Sequence, residues 1–172
     1  FRIYDRDIPE FPLAIDWYQG RVHAQTFSHH DDAINPDDLS PVLCEVLDIP
    51  PLHLAFKTRQ RQRGNGQYRK TGRGGSAIIV QEADLSFEVD LYSYLDTGLF
   101  LDHRTTRSMV RERSDGRRFL NLFAYTSSFT IYAAAGGATG SVSVDLSNTY
   151  QAWSKRNLEL NSISEKKHQM VR

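Results

Sequence analysis

The chain has a single cysteine, Cys44, so no disulfide can close within it, and a reducing, cytoplasmic setting is the expectation. No stretch approaches the ~18–20 consecutive apolar residues of a membrane span. The first twenty residues carry acids and prolines in place of the apolar core of a signal peptide. Net charge is missing as well: 21 Lys and Arg balance 21 Asp and Glu. That balance excludes a uniformly basic nucleic-acid binder and leaves local patches open. No internal repeat is visible. What is present is an apolar fraction of 40% with 11% aromatics over 172 residues, enough to bury the core of one domain, or of one domain and part of another. Disorder is a poor reading of such a composition. The chain begins without Met and ends without a terminal motif, so a fragment is expected.

The zero net charge hides a segregation. From Ser28 to Pro50 there are six acids and no Lys or Arg, whereas from Pro51 to Gly75 there are seven bases and no acid. Lys57, Arg59, Arg61 and Arg63 recur every second residue. In an extended segment that spacing puts them on one face, a basic stripe able to follow a phosphate backbone. Gln67 and Tyr68 at its end suit an unpaired RNA base, by hydrogen bond and by stacking. The competing reading is a glycine-punctuated, solvated loop. A second cluster, Arg104, Arg107, Arg111, Arg113, Arg117 and Arg118, reads as the charged face of a solvated helix.

Leu13–Trp17 and Arg21–Phe27 read as a hairpin about Gln19-Gly20. A helix is expected over Asp37–Leu47, with Asn35 as N-cap, Pro36 at the first position and an apolar face of Leu39, Val42, Leu43, Val46 and Leu47. Cys44 lies in that helix as a packing residue. His53–Lys57 is a short strand candidate. Ser76–Glu82 and Leu85–Leu91 form a second hairpin, the latter alternating Phe87, Val89, Leu91 with acids. Residues 1–95 are therefore expected to be a small α+β domain. Beyond it the pattern becomes helix Leu101–Arg113, strand Arg118–Phe123, helix Ser128–Ala135 ended by Gly136-Gly137, strand Gly140–Val144, helix Ser147–Leu160 and strand Gln169–Val171. Strands alternating with helices on short joints predict a parallel sheet with crossover helices over 96–172.

In such a sheet, ligands bind at the carboxyl ends of the strands, which singles out the turn Phe123–Ser128 and Asp145. A carboxylate there suits the two hydroxyls of a ribose, accepting both hydrogen bonds at once. The turn lacks the glycine fingerprint that brings backbone close to a pyrophosphate, which argues against NAD or FAD. A nucleoside cofactor without phosphates, such as S-adenosylmethionine, remains. The alternative is a surface acid at a strand end.

Three motifs now stand in order: YLDTGLFLDHR (Tyr94–Arg104), FLNLFAYTSSFTIYAA followed by GGA (Phe119–Ala138), and VDLSNTYQAWSKRNLELN (Val144–Asn161). With KTRQRQRGNGQY (Lys57–Tyr68) and RIYDRDIPEFPLAID (Arg2–Asp16), they resemble the ribosomal RNA large-subunit methyltransferases of the RlmK type across nearly the whole chain. That type forms one half of a bifunctional guanine methyltransferase and is related to the RlmI-type cytosine-5 enzymes. The resemblance implies an α+β N-terminal segment that grips RNA, followed by the first part of an α/β, Rossmann-like class I methyltransferase domain using S-adenosylmethionine. It implies that Phe123, Ala124, Tyr125 and Thr126 lie beside the methionine part of the cofactor. Asp145 would hold the ribose, Leu146 and Ser147 would lie near the adenine edge, and Asp102 and Arg104 would flank the amino-acid end. It also implies 23S ribosomal RNA as partner and methylation of guanine N7, within a longer chain carrying two methyltransferases. One departure is Tyr125-Thr126-Ser127 where the family reads Tyr-Thr-Gly. The family's Asp/Asn-Pro-Pro loop is absent from these residues, so no catalytic residue is assigned, and the fragment alone is expected to be inactive. Three other readings stay open at this point. A cytosine-5 enzyme would need a Cys nucleophile, a non-catalytic RNA-binding module would use only the basic segment, and a nucleotide-dependent oxidoreductase would want the missing glycines.

Overall fold

The structure, a computed structural model, describes residues 1–27, 34–58 and 76–172. Arg59, Arg61, Arg63, Gln67 and Tyr68 of the expected RNA segment lie outside the described residues. The chain forms two compact units, Phe1–Arg73 with Leu91–Leu95, and Gly74–Asp90 with Asp96–Arg172.

In the first unit, β1 (Arg2–Asp5), β2 (Leu13–Tyr18), β3 (Arg21–Thr26) and β4 (Leu54–Thr58) form one sheet in that order. The β1–β2 and β2–β3 pairs are antiparallel, and Gln19-Gly20 turns the second with both residues at positive φ. β3 and β4 are parallel, which requires a crossover, and α1 (Pro36–Val46) supplies it. Asn35 caps α1 by accepting from the Asp37 N–H at 3.0 Å, with Pro36 at the first helical position. Ile15, Val22 and Ala24 of the sheet pack against Leu43 and Ile49, with Leu39, Cys44 and Leu47 around them. Cys44 is thus a packing residue. Val42 and Val46, expected on the apolar face, are exposed, because the stripe that meets the sheet runs through Leu39, Leu43 and Leu47, four residues apart.

The second unit opens with a hairpin, β5 (Ile78–Glu82) and β6 (Leu85–Val89), turned at Ala83-Asp84 with Ala83 at φ +56°. A three-stranded parallel sheet follows, β7 (Arg118–Leu122), β8 (Gly140–Val144) and β9 (His168–Val171), in that order. Its helices are α2 (Arg104–Glu112), α3 (Ser128–Ala135) and α4 (Asn148–Leu160), the first preceded by a 3-10 turn over Leu101–His103. The sequence boundary expected at residue 95 differs from these units in the hairpin. The reason is polar: Asn161 brackets Ser86, accepting from its N–H at 2.8 Å and donating to its carbonyl at 2.7 Å, while Asn157 accepts from the Glu88 N–H at 2.9 Å. Two helix side chains thereby complete the outer hydrogen bonds of β6.

The sheet turns its polar side toward α3. Asn121 donates to Thr130 Oγ1 at 3.0 Å, and Thr130 bonds Ser143 Oγ at 2.6 Å, both within the covered face. Leu120 and Leu122 alternate to the other face and are 62% and 58% exposed. The reading of the arginine cluster as one face of a solvated helix is corrected in two ways. Arg107 is completely buried while Arg104 stays exposed, and α2 ends at Glu112, so Arg113 and Arg117 lie beyond it and Arg118 begins β7. Among the described residues, no helix is long and apolar enough to cross a membrane.

Candidate functional site

β7 and β8 are neighbours in register, Leu122 opposite Val144, so Phe123 and Asp145 leave the sheet side by side at its carboxyl end. The Phe123–Ser127 turn that starts there is unusual. Phe123, Tyr125 and Ser127 adopt φ of +55°, +53° and +60°. Non-glycine residues in this region cost on the order of 1–3 kcal/mol each and persist only where neighbours hold them.

The neighbours are identifiable. The Ala124 N–H donates to the Val144 carbonyl at 2.9 Å, the Tyr125 N–H to Asp145 Oδ2 at 2.9 Å, and the Ser127 N–H to the Ala124 carbonyl at 2.8 Å. Asp145 Oδ1 accepts from the Ser147 N–H at 2.9 Å, and Ser147 Oγ then caps α4 by accepting from the Tyr150 N–H at 3.3 Å. Each Asp145 oxygen therefore carries one backbone bond and retains lone-pair capacity for another donor. The carboxylate is fixed in orientation and half-buried. Phe123 and Leu146 flank it and are 93% and 77% exposed.

This arrangement tests which cofactor the site suits. A pyrophosphate would need free amide N–H groups in the turn, and those of Ala124, Tyr125 and Ser127 are already engaged inside the protein. A carboxylate with open acceptor positions and two exposed apolar side chains beside it suits the ribose and flat base of a nucleoside instead. The residues fit S-adenosylmethionine.

The segment before α2 lies against the same turn. Gly98 donates its N–H to the Tyr125 hydroxyl at 2.7 Å, and its carbonyl accepts from Thr126 Oγ1 at 2.6 Å. Gly98 has φ +100°, and a Cβ there would run into the Trp153 indole, so glycine is required twice over. The Phe100 ring sits 5.0 Å from that of Tyr125, and His103 sits 5.9 Å from Phe129. Asp102 and Arg104 are exposed in this stretch, and the Asp102 carboxylate lies 3.9 Å from His103 Nε2. Lys57 is half-buried in β4, and its Nζ donates to the Tyr94 carbonyl, so part of its bonding capacity is taken up inside the first unit. A cavity of about 380 Å³ lined by Met109, Val110, Arg113, Arg117 and Arg118 lies at the amino end of β7, the opposite end from Asp145.

Reading by motif missed Gly98, Ser154 and Asn157. The signal for the last two was available: Tyr150, Trp153 and Leu158 mark the buried stripe of α4, and Ser154 and Asn157 occupy that same stripe at 1% and 0% exposure. Among the described residues, no cluster of His, Cys, Asp or Glu could hold a metal ion.

The sequence model of the S-adenosylmethionine-dependent methyltransferases matches residues 11–169. The chain belongs to that family. It is 50% identical to the ribosomal RNA large subunit methyltransferase K of Neisseria meningitidis serogroup B, covering all of this chain and 50% of that protein. It is 45% identical to the ribosomal RNA large subunit methyltransferase K/L of Chromohalobacter salexigens, again over all of this chain but 24% of the relative. The chain thus spans half or less of the curated relatives it matches. Among solved structures it superimposes on SMU.776, a methyltransferase complexed with SAH, with a TM-score of 0.74 at 28% identity, over 92% of this chain and 41% of that one. The α/β unit accordingly has a Rossmann-like methyltransferase fold.

Proposed function

We propose that this chain is the RNA-gripping and cofactor-holding part of an enzyme that methylates guanine N7 of 23S ribosomal RNA, working in the cytoplasm. The observation that carries the cofactor half of the reading is the Asp145 carboxylate. It is locked by the Tyr125 and Ser147 amides and open to two further donors. Asp145 holds the ribose hydroxyls, Leu146 and Ser147 border the adenine, and Phe123 to Thr126 run beside the methionine part. Asp102 and Arg104 flank the amino-acid end, where a guanidinium and a carboxylate give charge-assisted bonds. S-adenosylmethionine supplies a methyl group activated on a sulfonium, so the protein's share is positioning and exclusion of water. The names of the relatives support ribosomal RNA as substrate. The base Lys57 and its neighbours Arg59, Arg61 and Arg63, with Gln67 and Tyr68, are the proposed RNA contacts. The cytosine-5 alternative is disfavoured by Cys44, the single cysteine among these residues, which sits half-buried on α1 of the first unit and packs against its core rather than lying in the Asp145 turn.

Isothermal titration of the chain with S-adenosylhomocysteine tests the reading directly. Saturable one-to-one binding that Asp145→Ala weakens supports it. Equal affinity of wild type and variant removes Asp145 from the site.

A further inference from the structure

The turn that carries the proposed cofactor contacts holds three left-handed residues, and the N–H bonds that fix it account for only its donor side. Its carbonyl groups point toward α4. Ser154 Oγ donates to the Tyr125 carbonyl at 3.0 Å and receives the Ser127 hydroxyl at 2.8 Å. Asn157 Nδ2 donates to the Thr126 carbonyl at 3.1 Å, while its Oδ1 accepts from the Glu88 N–H of β6 at 2.9 Å. Both side chains are buried, so each bond is made in a setting where an unmade one is costly.

We infer that Ser154 and Asn157 are positioning residues that hold the Tyr125–Ser127 turn in its left-handed form, and that Asn157 ties that form to the β5–β6 hairpin. This rests on the reading of the turn as cofactor site. Their hydrogen bonds reach the proposed cofactor contacts through the carbonyls of Tyr125 and Thr126. The geometry supplies its own control in Asn161, one turn further along α4. Asn161 brackets Ser86 of the same hairpin with two bonds, its Nδ2 also donates to the Asn157 carbonyl at 2.8 Å, and among the described residues it has no hydrogen bond to the turn. If Asn157 served only to dock the hairpin, the two asparagines would be equivalent.

The experiment compares Ser154→Ala, Asn157→Ala and Asn161→Ala in the full chain by three measurements. These are thermal midpoint, affinity for S-adenosylhomocysteine, and hydrogen exchange of the Tyr125 and Ser127 amides. The expected result is that all three variants melt lower. Only Ser154→Ala and Asn157→Ala should speed exchange in the turn and weaken binding, by about three- to tenfold for one missing buried bond. Asn161→Ala should leave both unchanged. Turn exchange and affinity that move equally in Asn157→Ala and Asn161→Ala, or in neither, overturn the inference. Ser154→Ala removes one hydroxyl and keeps the test open should Asn157→Ala not fold. A wild type that binds no cofactor would defeat the functional reading alone, since the exchange measurement still decides whether α4 holds the turn.

Discussion

Arg107 and Glu82 meet as two parallel hydrogen bonds in the interior, Nε to Oε1 at 2.7 Å and Nη2 to Oε2 at 2.8 Å, with the guanidinium completely buried. Two more bonds engage the pair. Arg107 Nη1 donates to the Phe100 carbonyl at 2.8 Å, and the Tyr132 hydroxyl donates to Glu82 Oε1 at 2.8 Å. Burial and then the Glu82 carboxylate raise the Tyr132 phenol above its usual range, so it remains a donor at any ordinary pH. The cluster ties α2, the hairpin and α3 to the segment that leads into Asp102 and Arg104.

Removing one partner of such a pair leaves a buried charge without compensation. Arg107→Met should therefore cost about 3–5 kcal/mol of unfolding free energy. The double variant Arg107→Met, Glu82→Gln should recover a large part of that loss, because the stranded carboxylate is gone. Urea denaturation of both proteins checks it, and a double variant no more stable than the single one would contradict the account.

Ser127 holds a left-handed φ of +60°, a conformation that costs a side-chain-bearing residue energy and a glycine little. The serine offsets its backbone cost with the hydrogen bond from its Oγ to Ser154. Ser127→Ala keeps the strain and removes the bond, so a destabilisation of about 1–2 kcal/mol is expected. Ser127→Gly removes the bond but relieves the left-handed strain, and should lie within about 1 kcal/mol of wild type. Denaturation midpoints that rank alanine above glycine would show that the turn is not strained at this position.

His23 predicts how the first unit responds to acid. It is buried in β3, and its Nε2 has no hydrogen-bond partner among the described residues. Burial, then the charges of Lys57 and Arg2, push the imidazole down to about 3 from 6.5. With the folded value below the unfolded one, the unfolded chain takes up the extra proton as pH falls, so stability is full above about 6.5 and declines toward 3. The limiting slope is about 1.4 kcal/mol per pH unit. His168, also lowered by burial, acts in the same direction in the second unit. Urea midpoints at pH 7 and pH 5 should separate by less in His23→Gln than in wild type. An unchanged separation would mean that His23 is not the group responsible.

Much of this architecture was legible because the local signals agreed with one another. α3 and β8 fall on the residues that Gly136-Gly137 and the GSVSV run delimit, and Ser147 caps α4 as its position suggests. The candidate site was legible for the same reason, since Asp145 and the Phe123 turn follow from strand ends. What stayed hidden was long-range. The parallel β3–β4 pairing depends on where α1 carries the chain. The burial of Arg107 depends on Glu82 arriving from a hairpin 25 residues away. In β7 the two leucines, Leu120 and Leu122, are exposed, and Asn121 is the residue that turns inward, where Thr130 on α3 offers it a partner. Polar complementarity between distant elements leaves no periodic trace in a sequence.

The RNA half of the proposed function has its own measurement. Lys57, Arg59, Arg61 and Arg63 are spaced two apart, in a stretch of 25 residues that holds seven bases and no acid. Alternate residues of an extended segment recur every ~6.6 Å, close to the separation of successive phosphates along a nucleic-acid strand, so each basic side chain can meet one phosphate. Of the four, Lys57 already donates to Tyr94, which makes the three arginines the stronger test. Binding to a ribosomal RNA fragment should be followed by fluorescence anisotropy over a series of salt concentrations, for wild type and for Arg59→Ala, Arg61→Ala, Arg63→Ala combined. Every arginine–phosphate pairing removed should lower the slope of log K against log salt by ~0.7–0.9, so the triple variant should give up about two units of slope. Tyr68→Ala should weaken binding with little change in slope, because a stacked base releases no counterion. A triple variant with wild-type slope and affinity would leave the segment as solvated loop and place RNA recognition elsewhere in the enzyme.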